Sequence, residues 1–427
     1  MESLVEYQNT LLNTLIYDFS RGLETEMNWN MRLSAIKGSR GVGKTTVLLN
    51  YIKRHPKDAK KILYASLDDI YFTENKLVTL AKHFIRSGGK HLLLDEVHKY
   101  PNWSQELKNI YDSMPQLKVT FTSSSILQIL KGNYDLSRRV VMNELAGLSF
   151  REFLQIESGK NLPILKLEEI IKNHESLTKE IIKKVKPFEF WNDYIQHGFY
   201  PFYRENKLAY HQRLMNVLNL TLESDLVICK EMDPRFIFKL KRLLHMIAVA
   251  VPYTPNVSKL AGDLEVSRPT MNNFFDYLED GRLVKLLKRD DKAFNALSKP
   301  EKVYLHNTNL MYAIDKRKVN EGNIRETFFF NQVGYRHKIS FSDIGDFLVD
   351  GEYKFEIGGI NKSKYQIKNH KNAFIVSDDM EYGVGNKIPL WILAFYTKQI
   401  SIIFITKYYS LNLHYEIVML QTAQIQM

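Results

Sequence analysis

The chain has 427 residues but only one cysteine, Cys229, so no disulfide bond can form within it. Such cysteine usage is typical of a reducing compartment. Long apolar runs are also missing, because a run such as residues 401–405 is far too short to span a bilayer. The first residues are acidic and lack the pattern of a signal peptide. We therefore expect a cytoplasmic protein that has no membrane partner.

No stretch rich in proline, glycine and serine marks a linker, so the domain boundaries are not sharp. A hydrophobic content of 44% and an aromatic content of 12% are sufficient for a folded core. The length suggests about two to four domains. The formal net charge of +11 favours an acidic partner such as nucleic acid, but a generally basic surface explains it equally well.

The most informative motif is the segment 38–45, which fits Gly-x4-Gly-Lys-[Ser/Thr] between an apolar strand and a helix. Its glycines allow backbone N–H groups to surround phosphate oxygens, and the helix N-terminus adds a positive dipole end. We expect Lys44 to contact the β- and γ-phosphates of ATP and the Thr45 hydroxyl to bind Mg²⁺. The predicted nucleotide-binding residues are Gly38, Ser39, Arg40, Gly41, Val42, Gly43, Lys44, Thr45 and Thr46.

A second motif, residues 91–96, is an apolar strand that ends in two acids, the Walker B pattern. ATP hydrolysis needs a carboxylate near Mg²⁺ and usually a second one to polarise water. We expect Asp95 to bind Mg²⁺ through water, and Glu96 to orient and deprotonate the attacking water. A strand that merely ends in surface acids has the same pattern.

Two further groups are candidates for contacts with the γ-phosphate. The strand 118–125 ends in hydroxyl side chains, of which Thr122 and Ser123 are placed to sense that phosphate. The same hydroxyls are also ordinary helix caps. Arg138 and Arg139 precede the next strand, and one of them is a candidate arginine finger, within the chain or from a neighbouring subunit. A solvated basic turn or a salt bridge is the alternative.

Four motifs, at residues 95–103, 121–125, 135–139 and 147–154, occur in an order that resembles a known family. The chain is similar, from about residue 10 to 396, to archaeal and bacterial AAA+-like ATPases that carry a C-terminal nuclease-like domain. The resemblance implies a five-stranded parallel sheet of the ASCE type, ATP with Mg²⁺, a winged helix and a restriction-endonuclease-like module. This chain has Ser123 where the family has glycine.

The predicted fold class is α/β. A P-loop NTPase parallel sheet with helices on both faces is followed by a helical and winged-helix region and by a small α/β nuclease-like domain. The strand candidates are residues 33–36, 62–66, 92–95, 119–122 and 140–143. The expected units are an N-terminal helical segment (1–30), the ATPase core (31–145), a helical lid or linker (146–235), a winged helix (236–312), a nuclease-like domain (313–396) and an extension without an assigned role (397–427).

The winged-helix prediction rests on a helix, turn and second helix over residues 257–278, followed by two strands that form the wing. DNA is a candidate ligand of residues 257–292. The second helix offers Arg268, Asn272 and Asn273, but its acids Asp276, Glu279 and Asp280 would repel phosphate. The wing cations that would compensate are Lys285, Lys288, Arg289 and Lys292. A structural or protein-contacting winged helix is the alternative.

The nuclease-like prediction comes from the resemblance alone, which places metal-binding carboxylates at Glu326, Asp346 and Glu356. Nucleases of this type also need a lysine two residues after the last carboxylate, and Gly358 stands there. Lys362 or Lys364 is a candidate replacement, and Gln366 resembles the polar residue of the next helix. The missing lysine favours an inactive fold kept for docking or DNA contact.

Three hypotheses for function follow. The first is a Mg²⁺-dependent ATPase whose cycle rearranges the attached winged-helix and nuclease-like modules, with DNA as a candidate ligand. The second is a slow ATP-controlled switch or scaffold for protein partners or for a homo-oligomer, without DNA. The third is an ATP-gated nuclease, which Gly358 argues against.

Overall fold

The computed structural model describes residues 1–15, 19–123, 136, 138–290, 299–359, 361–362, 367 and 370–395. Several predictions lie outside these residues: those for the extension 397–427 and for Ser124, Ser125, Asp135, Ser137, Lys292, Lys364 and Gln366. Within the described ranges, no helix is both long enough and apolar enough to cross a membrane.

A five-stranded, entirely parallel sheet forms the first part of the chain, in the order β2-β3-β4-β1-β5. Each strand lies within one residue, at either end, of the bounds predicted from the sequence, so the predicted sheet is confirmed. Because all strands are parallel, their carboxyl ends meet at one edge, and this edge holds the motifs. The strands are β1 (Leu33–Lys37), β2 (Ile62–Ser66), β3 (His91–Asp95), β4 (Lys118–Ser123) and β5 (Val141–Glu144).

Both faces of this sheet are covered by helices, which is why its central strands are apolar along their whole length. Leu93 faces the core that α3 completes, whereas its neighbours Leu92 and Leu94 face the core shared with α5 and α6. The helices up to this point are α1 (Glu2–Thr14), α2 (Gly22–Glu26), α3 (Lys44–Arg54), α4 (Tyr71–Glu74), α5 (Leu77–Arg86) and α6 (Trp103–Ser113).

A helical region follows the sheet. It begins at a capping box, in which the Ser149 hydroxyl accepts from the Glu152 N–H and the Glu152 carboxylate accepts from the Ser149 N–H. Its longest continuous helical stretch, the 210–230 helix, contains one π-helical turn at Thr221–Asp225. The helices are α7 (Phe150–Ser158), α8 (Leu167–Ile182), α9 (Pro187–Asp193), α10 (Tyr210–Leu220) and α11 (Leu226–Lys230), with short turns at Tyr194–Gly198 and Pro201–Arg204.

The predicted helix pair and wing strands are present. Ser267 caps the second helix by accepting from the Thr270 N–H, and the two wing strands pair antiparallel. We call residues 257–305 the helix–hairpin unit; its assignment to the winged-helix class stays a prediction. The elements are α12 (Phe236–Val249), α13 (Val257–Asp263), α14 (Arg268–Asp280), β6 (Val284–Leu287) and β7 (Lys302–Leu305).

The last described part contains a second five-stranded sheet, in the order β12-β11-β10-β9-β8, which we call the C-terminal sheet. Strands β8 to β10 are antiparallel neighbours, while β10, β11 and β12 run parallel. The elements are α15 (Thr308–Asp315), α16 (Glu321–Val333), β8 (Ile339–Phe341), β9 (Phe347–Val349), β10 (Tyr353–Gly358), β11 (Ala373–Ser377), β12 (Lys387–Pro389) and a short turn at Leu390–Ala394.

Candidate nucleotide site

The loop between β1 and α3 has a backbone suited to an anion. Gly41 and Gly43 have φ angles of 77° and 94°, a region that residues with side chains rarely adopt. At Gly38 an added Cβ atom would lie 2.4 Å from the carbonyl oxygen of Leu145, so only glycine fits there. Helix α3 begins at Lys44, and its unpaired N–H groups therefore face the loop.

Lys44 is buried beneath this loop, with 5% of its surface exposed. Its ammonium group donates hydrogen bonds to the carbonyl oxygens of Gly38 and Ser39 at 2.9 and 3.0 Å. Burial lowers the pKa of Lys44, while the nearby carboxylates of Glu96 and Asp95 oppose that shift. The positive charge is thus held at the centre of the loop, where a phosphate group would replace the carbonyl oxygens as its partner.

Asp95, at the end of β3, joins the loop to both neighbouring strands. Its Oδ2 accepts hydrogen bonds from the Thr45 hydroxyl at 2.6 Å and from the Tyr64 hydroxyl at 3.0 Å. Its Oδ1 accepts from the Thr122 hydroxyl and, at 3.2 Å, from the backbone N–H of Glu96. Hydroxyl and carboxylate oxygens are the donors that Mg²⁺ prefers. Thr45 and Asp95 therefore fit the predicted ion and are the residues that would hold it.

Glu96 has a left-handed backbone, with a φ angle of 51°, which turns its side chain into a cavity lined also by Lys44. Its N–H donates to the Thr122 hydroxyl at 3.1 Å, and this bond fixes the turn. Thr122 thus supports both acids, while its predicted role in sensing the γ-phosphate stays a prediction. Burial raises the pKa of Glu96, and the Lys44 charge opposes that shift.

His98 is a partner of Glu96 that sequence reasoning missed. Its Nε2 lies 3.3 Å from Oε2 of Glu96, and its Nδ1 lies 3.5 Å from the Ser123 hydroxyl. Burial lowers the pKa of His98 to about 4, so the ring is neutral near pH 7 and donates a single N–H. The sequence signal that could have identified His98 is its position two residues after the acid pair.

A cavity of about 550 Å³ opens beside the loop, between the P-loop elements and the helical region. Glu96 and Thr46 lie on its wall, and apolar side chains such as Phe19, Leu148 and Phe202 line the rest. The wall is rich in cations, contributed by Arg21, Arg40, Lys44, Arg204 and Arg213. A cavity with one cationic and one apolar part suits a ligand that has a polyphosphate and a flat ring.

Arg21 ties this cavity to the helical region, and no local sequence pattern marked it. Its guanidinium donates to the carbonyl oxygens of Val42 at 2.8 Å and Gly147 at 3.0 Å, and its Nε lies 3.1 Å from Glu152. Burial would raise the pKa of Glu152, but Arg21, Arg151 and backbone hydrogen bonds from Gly22 and Ser149 together outweigh burial and lower it to about 2. The pair therefore stays ionised and holds the loop against α7.

Arg40, in the middle of the loop, has a partner in the helical region. Its Nε and Nη2 each donate to a different oxygen of Asp225 at 2.9 Å. The hydrogen bonds to Asp225 raise the pKa of Arg40, although burial opposes this. Asp225 was not predicted from the sequence, since nothing local distinguishes it from other helix acids.

Arg138 and Arg139 lie away from the cavity of their own chain. Ser34, at the start of β1, pairs with Val141, so Arg139 lies at the edge where the strands begin. Arg139 pairs there with Asp112 at 3.1 Å, and Arg138 is exposed. The five residues of β1 span roughly 16 Å, which an arginine side chain does not bridge. Neither arginine therefore lies at the cavity of its own chain, and the role of either as a finger stays a prediction.

The candidate DNA surface at residues 257–292 keeps only part of its predicted charge. Arg268, Asn272 and Asn273 are exposed on α14 as expected, together with Asp276. Lys285 corrects the prediction: it is only partly exposed, it donates to the Phe330 carbonyl oxygen at 2.8 Å, and burial lowers its pKa to about 7.

The other wing cations within the described residues are held in ion pairs. Lys288 lies 3.7 Å from Asp276, and Arg289 lies 2.8 Å from Glu301 and 3.0 Å from Asp343. The wing also contacts the C-terminal sheet, because the Phe341 N–H donates to the Lys288 carbonyl oxygen at 2.8 Å. Its positive charge is therefore largely compensated within the protein.

The three nuclease-like carboxylates lie near one another, and each of them also lies beside a lysine. Lys302 lies 3.7 Å from Glu326 and 3.6 Å from Asp346, and Lys362 lies 2.5 Å from Glu356. Lys362 is one of the two predicted replacements for the missing lysine. In the part of the chain that the structure describes, no three His, Cys, Asp or Glu side chains are grouped so that they could hold a metal ion.

Comparisons with known proteins agree with this geometry. Residues 30–154, which contain β1 to β5, match the family described as AAA domain, and residues 189–321 match a domain of unknown function. The match and the loop–carboxylate arrangement define the first segment as an AAA+-type P-loop ATPase domain, a fold that supports ATP binding and hydrolysis. Winged-helix and nuclease-like assignments receive no support from these matches.

Two curated relatives come from Methanocaldococcus jannaschii, and both are described as uncharacterized. MJ1637 is 28% identical over 270 residues, 60% of this chain and 57% of its own length. MJ1544 is 23% identical over 384 residues, 83% of this chain and 81% of its own length. The chain thus spans little more than half of the first relative.

Among solved structures, AMPPCP-bound DnaA from Aquifex aeolicus is 18% identical, with 64% of this chain and 86% of that chain covered and a TM-score of 0.25. The structure of C. elegans PCH-2 is 15% identical, with 64% and 68% covered and the same TM-score of 0.25.

Proposed function

We propose that this protein binds ATP with Mg²⁺ and hydrolyses it, and that the cycle rearranges the helix–hairpin unit and the C-terminal sheet. The observation that carries the proposal is the contact between Thr45 and Asp95 at 2.6 Å, beside a cavity that Lys44 and Glu96 line. The arrangement supplies a phosphate-binding cation, oxygen ligands and a candidate base in one place.

In the proposed reaction, Lys44 and the N–H groups at the start of α3 bind the β- and γ-phosphate oxygens. Glu96 accepts a proton from the water that attacks the γ-phosphorus, and the bond from that phosphorus to the bridging oxygen breaks. ADP and inorganic phosphate are the products. Mg²⁺, when bound by Thr45 and Asp95, neutralises charge on the phosphate oxygens. His98, neutral near pH 7, orients the Glu96 carboxylate.

Two features support a link from hydrolysis to the rest of the chain. The 210–230 helix contributes Arg213 and Val217 to the cavity wall. At its other end Lys230 pairs with Asp280 of α14 at 2.5 Å. A small shift of this helix would therefore reach the helix–hairpin unit. We also propose that Arg138 or Arg139 acts on the site of a second copy of the chain, since neither reaches its own.

A second candidate is an ATP-controlled switch for protein partners that does not bind DNA. The ion pairs of Lys288 and Arg289 and the hydrogen bond of Lys285 to the Phe330 carbonyl oxygen favour it, because these cations are engaged within the protein. An ATP-gated nuclease is disfavoured, since Gly358 stands where this class needs a lysine and the described residues contain no group of three His, Cys, Asp or Glu side chains that could hold a metal ion.

Steady-state ATPase activity of wild type, Lys44→Ala and Glu96→Gln, measured with and without duplex and single-stranded DNA, tests these proposals. We expect Lys44→Ala to abolish ATP binding and Glu96→Gln to slow hydrolysis while ATP stays bound. Unchanged turnover in both variants contradicts the ATPase assignment. DNA-stimulated, salt-sensitive turnover supports the first candidate, and turnover that ignores DNA supports the switch.

A further inference from the structure

The bond between Arg40 and Asp225 joins two parts of the chain that are far apart in sequence. The guanidinium makes a bidentate contact, with both N–O distances at 2.9 Å. The exposed fraction of the side chain is 22% for Arg40 and 8% for Asp225. Bidentate pairs in such partly buried surroundings fix the direction of the guanidinium plane as well as its position.

The other edge of this guanidinium is free for a ligand. Asp225 engages Nε and Nη2, whereas Nη1 makes no hydrogen bond to any residue of the described ranges. Arg40 lies on the cavity wall together with Lys44 and Glu96. An arginine has five N–H donors, so the pair with Asp225 leaves donors for a second anion.

Asp225 is itself held in a rigid position. It closes the π-helical turn Thr221–Asp225 within the 210–230 helix, and such single turns often occur at functional sites. The Thr221 hydroxyl donates to the Val217 carbonyl oxygen at 2.9 Å, which supports the turn. Val217 also lines the cavity, so the helix that carries Asp225 is part of the site wall.

We propose that Arg40 is a second phosphate-binding cation of the cavity, specific for the terminal phosphate of a nucleoside triphosphate, and that Asp225 is its positioning residue. This inference rests on the proposed function. A triphosphate carries one more phosphoryl group than a diphosphate, so a correctly aimed Arg40 discriminates between the two nucleotides. Lysine cannot replace it, because one ammonium group does not reproduce the bidentate contact with Asp225.

Calorimetric titrations with Mg²⁺ and either ADP or the non-hydrolysable analogue AMP-PNP test the proposal. The variants are Arg40→Ala, Arg40→Lys, Asp225→Asn and the double variant Arg40→Ala/Asp225→Asn. We expect Arg40→Ala to raise the Kd of AMP-PNP about tenfold, the effect of one charge-assisted hydrogen bond. The Kd of ADP should change less than about twofold. Asp225→Asn should act in the same direction, and the double variant should equal Arg40→Ala alone.

Glu26→Gln is the matched control. Glu26 also accepts two bonds from one arginine in a partly buried pair, with Arg336 at 2.9 and 3.1 Å, and it lies outside the cavity lining. The Glu26→Gln variant should leave the ratio of the Kd of AMP-PNP to the Kd of ADP unchanged. Equal weakening of both nucleotides in Arg40→Ala, or additive losses in the double variant, would overturn the inference.

The outcomes separate the two proposals. Wild type that binds neither nucleotide contradicts the proposed function and the inference together. Wild type that binds both, with an unchanged ratio in Arg40→Ala, contradicts the inference alone. Asp225→Asn keeps the shape of the side chain. A comparison of its melting temperature with that of Glu26→Gln shows whether the variant folds.

Discussion

The hydroxyl group of Thr45 donates a 2.6 Å hydrogen bond to Oδ2 of Asp95, and this bond links the loop to the end of β3. Two hard oxygen atoms are thereby held next to the Lys44 ammonium group. A metal that bridges protein and phosphate needs such a pair of ligands. The contact therefore leads to a direct prediction.

Thr45→Ala should weaken nucleotide binding about tenfold in the presence of Mg²⁺ and much less in its absence, because it removes a ligand and not a phosphate contact. Thr45→Ser keeps the hydroxyl and serves as the control. Titrations of ADP with Mg²⁺ and with EDTA measure the difference. An equal loss under both conditions contradicts the role of the hydroxyl as a metal ligand.

The pair of Glu96 and His98 predicts a particular pH dependence of hydrolysis. Glu96 acts as a base only when ionised, so kcat should fall as pH drops through a pKa above the ordinary carboxyl value of 4.5. His98→Ala removes a donor to the carboxylate and should move this acid limb to higher pH. Pre-steady-state or steady-state hydrolysis rates measured over a range of pH locate this acid limb. An unshifted limb in His98→Ala contradicts the orienting role of His98.

The buried ion pair of Arg21 and Glu152 predicts that the free energy of unfolding falls at acidic pH. The pKa of Glu152 is lowered from 4.5 to about 2, so its contribution is complete above 4.5 and is lost as pH falls towards 2. Glu152→Gln should cost about 3 kcal/mol at neutral pH, since it leaves a buried guanidinium unpaired. The free energy of unfolding of Glu152→Gln should also decrease less on acidification than that of wild type.

Denaturant unfolding of both proteins at several acidic pH values measures this effect. Glu189→Gln is the control, because its pair with Lys186 is exposed and such pairs contribute little. If the free energies of unfolding of wild type and Glu152→Gln depend on pH in the same way, the ion pair is not the source of the pH dependence.

Arg139 should affect turnover but not nucleotide affinity. Arg139→Ala removes a group on the far edge of the sheet, so the Kd for ADP stays unchanged. If it acts on a neighbouring copy, kcat falls at least about tenfold. Mixing inactive Lys44→Ala with Arg139→Ala should restore activity, because Lys44→Ala supplies the missing arginine.

Asp112→Asn is the control for this experiment, since it breaks the ion pair and keeps the arginine. Full activity of Arg139→Ala alone would remove the arginine from the mechanism. No recovery on mixing would show that its effect stays within one chain.

DNA binding, if it occurs, should depend on α14 and not on the wing. Arg268→Glu reverses an exposed charge and should abolish a gel shift or reduce its salt dependence. Arg289→Glu should cause a smaller change, because Arg289 already pairs with Glu301 and Asp343. The reverse order of effects would contradict the surface that the structure exposes.

Much of the ATPase domain could be predicted from the sequence. Buried parallel strands leave continuous apolar runs, and the loop and acid motifs are local patterns, so β1 to β5 and the Lys44 and Asp95 sites followed directly. Arg21, Tyr64 and Asp225 could not be predicted, because each reaches the site through contacts between distant parts of the chain.

Lys285 was assigned wrongly for a related reason. A lysine side chain is normally exposed, and only the contact of β6 with α16 covers part of Lys285. The roles of Arg138 and Arg139 depended on the direction of β5, since a residue before a parallel strand lies at the edge opposite the loop.

The bond from Lys285 to the Phe330 carbonyl oxygen has a practical consequence for dissecting the chain. A fragment that ends at residue 312 would lose α16 and with it the acceptor of a partly buried ammonium group. It would also remove the ring contact between Phe330 of α16 and Tyr304 of β7. Such a fragment should be produced with residues up to 395 attached, or with Lys285 replaced by a neutral residue, if its ligands are to be studied in isolation.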